Sequence, residues 1–321
     1  MPRVKARANP LGMKTKIIFD CDPGLDDAVA LLAALRAPQL EVLAITTVAG
    51  NVKGPQTAYN ARVIRELAGR GPEVPVCAGA PRPILRDPVT AEDFHGSTGL
   101  GNIDFPKPRH ARSRSHAVNQ IVRLCRAAKP DPLTIVITGP MTNVALALVM
   151  APDIAEGIRT IILMGGADRE GGNITPFAEF NVFADPHAAA IVFGSGIAIR
   201  ALSLDVTHSI RTTKARLAQV RSVGTSRARA AGDLLDASCK LEFSANGERD
   251  APLHDPSTVI ALLRPDLFAG RSAHVEVVTE PGKQLGRTIP RFADDGPVLW
   301  YETADADGAF AALSTMLGDG R

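Results

Sequence analysis

The sequence predicts an α/β fold, a single open and mostly parallel sheet with helices on both faces. Three observations predict it. Short apolar runs alternate with helix-like segments; the runs are apolar at consecutive positions, as in strands buried on both faces; and Gly, Pro and Asn collect in the connections. A length of 321 residues falls within the range of one large α/β domain. We assign residues 14–321 to that single domain. The opening "MPRVKARANPLGMK" is basic and lacks the apolar stretch of a signal peptide, so residues 1–13 are expected to form a disordered tail.

The elements follow in chain order. "KIIFDCD" (16–22) reads as a buried strand and "DDAVALLAALRA" (26–37) as a helix with apolar positions round most faces. "LEVLAITTVAGN" (40–51) is a second strand, "PQTAYNARVIRELAG" (55–69) a helix opened by a proline, and "VPVCAG" (74–79) a short strand. The alternation resumes with "PLTIVITG" (132–139) as a strand, "MTNVALALVMA" (141–151) as a helix and "IRTIILMGG" (158–166) as a strand. "DPHAAAIVFGSG" (185–196) then reads as a short helix and "IAIRALSLD" (197–205) as a further strand. Residues 211–240 are polar, alanine-rich and helical in pattern, with no composition shift that marks a linker. Two long stretches, 79–108 and 165–183, are rich in Gly, Pro and Asn, and loops of that length are usually functional or disordered.

Composition narrows the function. Apolar residues make up 45% of the chain and charged residues 22%, the balance of a soluble globular protein with a sizeable core. With 36 basic against 34 acidic residues, the net charge of +2 gives no electrostatic reason to expect a nucleic acid or membrane partner. No run is long enough to cross a bilayer. A small, uncharged ligand is expected. Cys21, Cys77, Cys125 and Cys239 lie far apart without a C-x-x-C pair, which suggests reduced thiols in a cytoplasmic protein and neither a zinc site nor a disulfide framework.

The chemistry gathers at strand ends, where open α/β sheets bind ligands. "DCDPGLDD" places Asp20, Asp22, Asp26 and Asp27 within eight positions at the exit of the first strand. Asp26 and Asp27 suit the first turn of a helix, and Asp22 before Pro-Gly suits a turn. Four acids so close repel one another, however, and a bound cation relieves that repulsion. Oxygen ligands select a hard ion, Ca²⁺ or Mg²⁺, and several carboxylates with main-chain carbonyls favour the higher-coordinate Ca²⁺. A metal eases deprotonation of water and a nearby carboxylate can take the proton, so the pattern points to hydrolysis.

Three further polar groups join this one. "GGNITPFAEFNVFADP" sets Asn173, Glu179 and Asn181 within nine residues, with donors and acceptors suited to hydroxyls, although Asn173 could merely shape a turn. In "PLHDPSTVIALL", Asp255 could cap a helix or supply a remote metal ligand, and His254 could be a hydrogen-bonded core histidine or an acid facing substrate. "DFHGSTGLGN" offers His95 on a glycine-rich loop.

Taken together, "DCDPGLDDAVALL", "TTVAGN", "ITGPMTN", "LMGG", "AEFNVFADP" and "LHDP" resemble the inosine-uridine type nucleoside hydrolase family over roughly residues 15 to 315. The motifs occur in the family's order and with similar spacing. The resemblance implies a nucleoside hydrolase-like fold with a Rossmann-like core, and cleavage of the N-glycosidic bond of ribonucleosides. It implies one Ca²⁺ per chain held by Asp22, both oxygens of Asp27, the main-chain carbonyl of Thr138 and Asp255, with Asp20 in support. Asp26 is then the general base that activates a metal-bound water. Asn51, Asn173, Glu179 and Asn181 bind ribose hydroxyls, Met164 lines the sugar pocket, His254 serves the leaving group and His95 lies near the base. A homodimer or homotetramer is implied as well.

The chain departs from the family in one stretch. Where family members place aromatics before "HDP", "DLLDASCKLEFSANGERDAPLHDP" carries only Phe243. With two tyrosines and one tryptophan in the chain, base contacts must draw on phenylalanines, Trp300 or histidines, which points to a pyrimidine-tolerant enzyme. Two other readings compete. "IIFDCD" also fits a haloacid-dehalogenase-type Mg²⁺ phosphatase with Asp20 as nucleophile, although "EFNVFADP" and "HDP" are then unexplained. A non-catalytic calcium-dependent nucleoside or sugar binding protein is the other, and retention of both Asp26 and His254 argues against it.

Overall fold

Strand β1 (Thr15–Cys21) occupies the interior of the sheet because it is apolar on both sides. Ile17, Phe19 and Cys21 pack into one core and Ile18 into the other, the alternation expected of a pleated strand. The computed structural model describes residues 14–92, 96 and 98–318, and the expected tail at 1–13 and His95 lie outside them. The other strands are β2 (Leu40–Thr47), β3 (Val76–Ala78), β4 (Leu133–Ile137), β5 (Ile158–Met164), β6 (Ile199–Leu202), β7 (Phe268–Val277), β8 (Thr288–Phe292) and β9 (Val298–Ala304). They form one open sheet in the order β3-β2-β1-β4-β5-β6-β9-β7-β8. Pairing is parallel from β3 to β9 and antiparallel where β7 meets β9 and β8.

That order explains where a ligand binds. The chain builds outward from β1 to β3, then returns to pair β4 with the opposite side of β1. Connections leaving β1 and β4 therefore diverge, and a crevice opens beyond their carboxyl ends. Helix α1 (Leu25–Arg36) follows β1 and is buried at every residue from Ala28 to Leu35. Its alanines let it lie close to the sheet beneath other helices. Helix α2 (Gly54–Leu67) carries Pro55 in its first turn, where a missing N–H costs nothing.

The elements read from the sequence are present, and the structure adds to them. Helix α3 (Ala117–Ala127) follows the first long loop and buries Ile121 and Cys125 in the second core. Helix α4 (Thr142–Met150) leads to β5, and α5 (Phe180–Ala184) and α6 (Pro186–Phe193) follow it. A single turn, α7 (Leu204–Thr207), ends the segment expected as the strand 197–205. The helical stretch expected over 211–240 is two helices, α8 (Lys214–Ser222) and α9 (Ser226–Asn246). They part at Gly224, whose φ of 77° is a conformation that L side chains rarely adopt. Helix α10 (Pro256–Leu263) packs on α1, and α11 (Ala306–Leu317) ends the fold. All four cysteines are free. No helix among the described residues is long and apolar enough to cross a membrane.

Candidate active site

Each acid of the first strand end has its own environment. Asp20 is fully buried on the α4 side of the sheet and accepts the Thr46 hydroxyl at 2.6 Å and Asn143 Nδ2 at 2.8 Å, both on Oδ1. Burial pushes its carboxyl up to about 7 against the pull of those two donors. It does not line the cavity, so it is not positioned as the nucleophile of the phosphatase reading.

Asp22 sits in a backbone cradle. It accepts the Asn51 N–H at 2.6 Å on Oδ2, and Gly50 and Gly139 press on it from either side. A Cβ on Gly50 would lie 2.0 Å from Asp22 Oδ2, and one on Gly139 would lie 2.4 Å from Asp22 Oδ1. The glycines of "TTVAGN" and "ITGPMTN" thus make room for one carboxylate. Asp27, in the first turn of α1, accepts the Thr138 hydroxyl at 2.7 Å and Asn51 Nδ2 at 2.9 Å. It also accepts the Gly24 N–H at 3.2 Å, which serves the start of the helix.

Asp26 points elsewhere. Its Oδ2 accepts the main-chain N–H groups of His254 and Asp255, each at 2.8 Å. Burial pushes its carboxyl up to about 7, the Asp255 N–H opposes the rise and the nearby Asp27 charge adds to it. Asp255 stands at the start of α10, but its side chain caps no helix N–H, contrary to the capping alternative. It bonds instead with Asp27. Burial, then the charges of Asp27, Asp26 and Asp22, hold its carboxyl well above the usual carboxylate range.

A second wall comes from the loop after β5. Glu179 begins α5 by accepting the N–H groups of Asn181 at 2.8 Å and Val182 at 3.1 Å, and it also accepts the Gly166 N–H at 3.0 Å. Burial still raises it to about 7. Asn181 donates Nδ2 to the carbonyls of Thr138 at 2.9 Å and Met164 at 3.2 Å. Asn173 accepts the Phe180 N–H at 2.9 Å, so the turn-shaping role is real and coexists with its place on the cavity wall.

Beside these residues lies a cavity of about 440 Å³, enough for a nucleoside-sized ligand; Asp20, Asp22 and Asp27 stand behind its wall and do not line it. Asp26, Asn51, Thr138, Met164, Asn173, Glu179, Asn181, His254 and Asp255 all line it. Sequence reasoning missed His208, Ser238 and Glu242, which line it too. No motif marked them: His208 follows α7 between the segments read as strand (197–205) and polar helix (211–240), and Ser238 and Glu242 stand on α9, a helix read only as polar and alanine-rich. Two expected aromatics are elsewhere: Trp300 is core, 1% exposed, and Phe243 lies in a groove on another side of α9. Among the described residues Phe180 supplies a phenyl ring to the cavity wall.

The acids fit a hard cation. Asp22 Oδ1 is buried without a hydrogen-bond partner, and burial followed by the Asp27 charge pushes its carboxyl well up. The carboxylates of Asp22, Asp27 and Asp255 and the carbonyl of Thr138 are oxygen ligands, which suit a hard ion. Among the described residues no three His, Cys, Asp or Glu side chains form a ready cage, since the carboxylates turn onto one another and onto N–H donors. Thr138 likewise gives its hydroxyl to Asp27 and its carbonyl to Asn181.

The chain is similar to known nucleoside hydrolases. The family described as inosine-uridine preferring nucleoside hydrolase matches residues 17–311. A pyrimidine-specific ribonucleoside hydrolase, RihA, of Photobacterium profundum is 41% identical over 86% of this chain and 89% of its own. An uncharacterised protein of Schizosaccharomyces pombe is 40% identical over 94% of this chain and 99% of its own. Among solved structures, a purine-preferring ribonucleoside hydrolase from Gardnerella vaginalis superposes with a TM-score of 0.86 at 32% identity, covering 94% of this chain and 98% of that one.

Proposed function

This chain belongs to the inosine-uridine preferring nucleoside hydrolase family, whose members hydrolyse ribonucleosides at the N-glycosidic bond, and from that premise we propose a Ca²⁺-dependent reaction in which Asp26 is the general base. The observation that carries the proposal is the setting of Asp26. Two main-chain N–H groups fix one of its oxygens, and a carboxyl raised to about 7 can take a proton near neutral pH.

Asp22, Asp27, Asp255 and the Thr138 carbonyl would hold the cation, with Asp20 behind them bracing the end of β1. When bound, the ion offsets their charge and lowers the pKa of water it coordinates. Asp26 takes a proton from the attacking water as oxygen bonds to C1′ and the bond from C1′ to the base nitrogen breaks. Asp255, Asn51, Asn173, Glu179 and Asn181 bind the ribose hydroxyls, Met164 packs on the sugar, and the anionic wall stabilises the oxocarbenium-like charge that develops. His254, with Nδ1 2.8 Å from the Thr207 hydroxyl, can present a proton on Nε2 to the departing base.

We propose pyrimidine ribonucleosides as the preferred substrates. RihA relatives named pyrimidine-specific support this at 41% identity, and so does a cavity in which Phe180 supplies a phenyl face. A cytoplasmic homodimer or homotetramer of chains with one domain over 14–321 belongs to the same reading. A reducing-sugar assay on uridine, cytidine, inosine and adenosine, with and without chelator, tests it. Chelator-sensitive ribose release that is fastest with uridine or cytidine is the expected result. Binding without ribose release would favour the binding-protein reading, and cleavage of para-nitrophenyl phosphate alone would favour the phosphatase.

A further inference from the structure

We propose that His208, oriented by Glu170, contacts the nucleobase and accepts a hydrogen bond from its imide or amide N–H; this rests on the nucleoside hydrolase reading. His208 lines the same cavity as Asp26 and His254, and its ring centroid lies 5.6 Å from that of His254. Its Nδ1 is 3.2 Å from Glu170 Oε2. A carboxylate only accepts, so Nδ1 carries the hydrogen, and in the neutral ring Nε2 is left as an acceptor.

Glu170 is not a chance surface partner, because its loop is clamped. Asp205, in α7, accepts three consecutive N–H groups, those of Asp168 at 2.8 Å, Arg169 at 2.7 Å and Glu170 at 3.1 Å. Arg169 reaches Glu302 at 2.9 Å and ties the same loop to β9. The end of α7 thereby serves both imidazoles. Thr207 bonds to His254, and the next residue, His208, bonds to Glu170. With the strand-end carboxylates and amides committed to water and sugar, the imidazoles are left to the base. A donor from His254 and an acceptor on His208 match a base edge that offers a carbonyl beside an N–H.

The test compares uridine, N3-methyluridine, which lacks the imide N–H, and para-nitrophenyl β-D-riboside, whose leaving group has neither base edge nor N–H. For the wild type, kcat/KM should fall about 10-fold from uridine to N3-methyluridine, the worth of one hydrogen bond. His208→Phe should lose about 10-fold on uridine, treat the two pyrimidines alike, and cleave the nitrophenyl riboside within about 3-fold of wild type. His208→Gln, which restores an acceptor, should recover part of the uridine preference. Glu170→Gln should weaken that preference, through KM for uridine, and spare the nitrophenyl riboside. Equal losses on all three substrates, or an unchanged preference in His208→Phe, would overturn the proposal while leaving the family reading intact. Should His208→Phe fail to fold, the Gln variants decide by the same ratios. A wild type that releases ribose from none of the three would instead overturn the nucleoside hydrolase reading.

Discussion

Asp26 Oδ2 accepts the Asp255 N–H at 2.8 Å, joining residues 229 positions apart. The tie fixes the carboxylate plane, and Oδ1 is then the oxygen left to take a proton from water. Asp26→Asn keeps an oxygen that can accept both N–H groups but cannot act as a base. We expect ribose release to fall about 10²–10⁴-fold with little change in melting temperature. Asp26→Ala should lose activity and also soften the start of α10. Near-normal turnover in Asp26→Asn would remove Asp26 from the base role.

The Asp22 cradle makes a second prediction. Gly50→Ala puts a Cβ against a carboxylate oxygen that is itself fixed by the Asn51 N–H, so the loop or the acid must move. Overpacking of this kind costs about 1–3 kcal/mol, and activity should fall with it. Gly54→Ala is the control, since its Cβ would meet Pro81 at an ordinary 3.6 Å. Thermal melts and ribose release on both variants check the pair. Equal behaviour of the two would show that the cradle tolerates a side chain.

What the sequence disclosed follows from how local each feature is. β1 and α1 were legible because consecutive apolar residues and an acid-rich turn are contiguous signals. The clustering of Asp22, Asp26 and Asp27 was legible for the same reason, and the motif around Asp255 suggested that it joins them, as it does in space. His208 and Ser238 were not, because a half-buried histidine and a small serine reach the cavity only through the placement of α7 and α9. The break at Gly224 was hidden within a polar, alanine-rich run, where one glycine is a weak signal until its left-handed backbone is seen. The sequence also suggested that Asp255 could cap its helix, a local rule that the neighbouring carboxylates override.

Removal of divalent cation is the third prediction. Asp22, Asp27 and Asp255 are buried side by side; burial raises all three, and the Asp27 charge raises Asp22 and Asp255 further, so a cation that binds only the folded chain should stabilise it. At an ion concentration about 100-fold above its Kd the gain is about 2.7 kcal/mol, or roughly 4 °C in melting temperature. Chelation should reverse that gain and stop ribose release, and Ca²⁺ should restore both better than Mg²⁺. Asp22→Asn should blunt the response. A melting temperature and a turnover indifferent to chelator would remove the metal from the proposed mechanism.

The last prediction concerns Glu66, on α2 and away from the cavity. Its carboxylate accepts the N–H groups of Arg109 and His110 at 2.8 Å each and pairs with His110 Nδ1 at 3.1 Å. Partial burial raises the carboxyl, but these donors outweigh it and bring it down to about 2. The folded value is thus below the unfolded value of about 4.3, so the stabilisation is present above about pH 4.3 and is lost as pH falls toward 2. Discounted for solvent screening, it is worth about 1 kcal/mol, and it pins the end of the first long loop to α2. Urea melts of the wild type and Glu66→Gln should differ by about that amount at pH 7 and converge as pH is lowered through this window. A gap that stays constant with pH would mean that the ionisation of Glu66 contributes nothing to it.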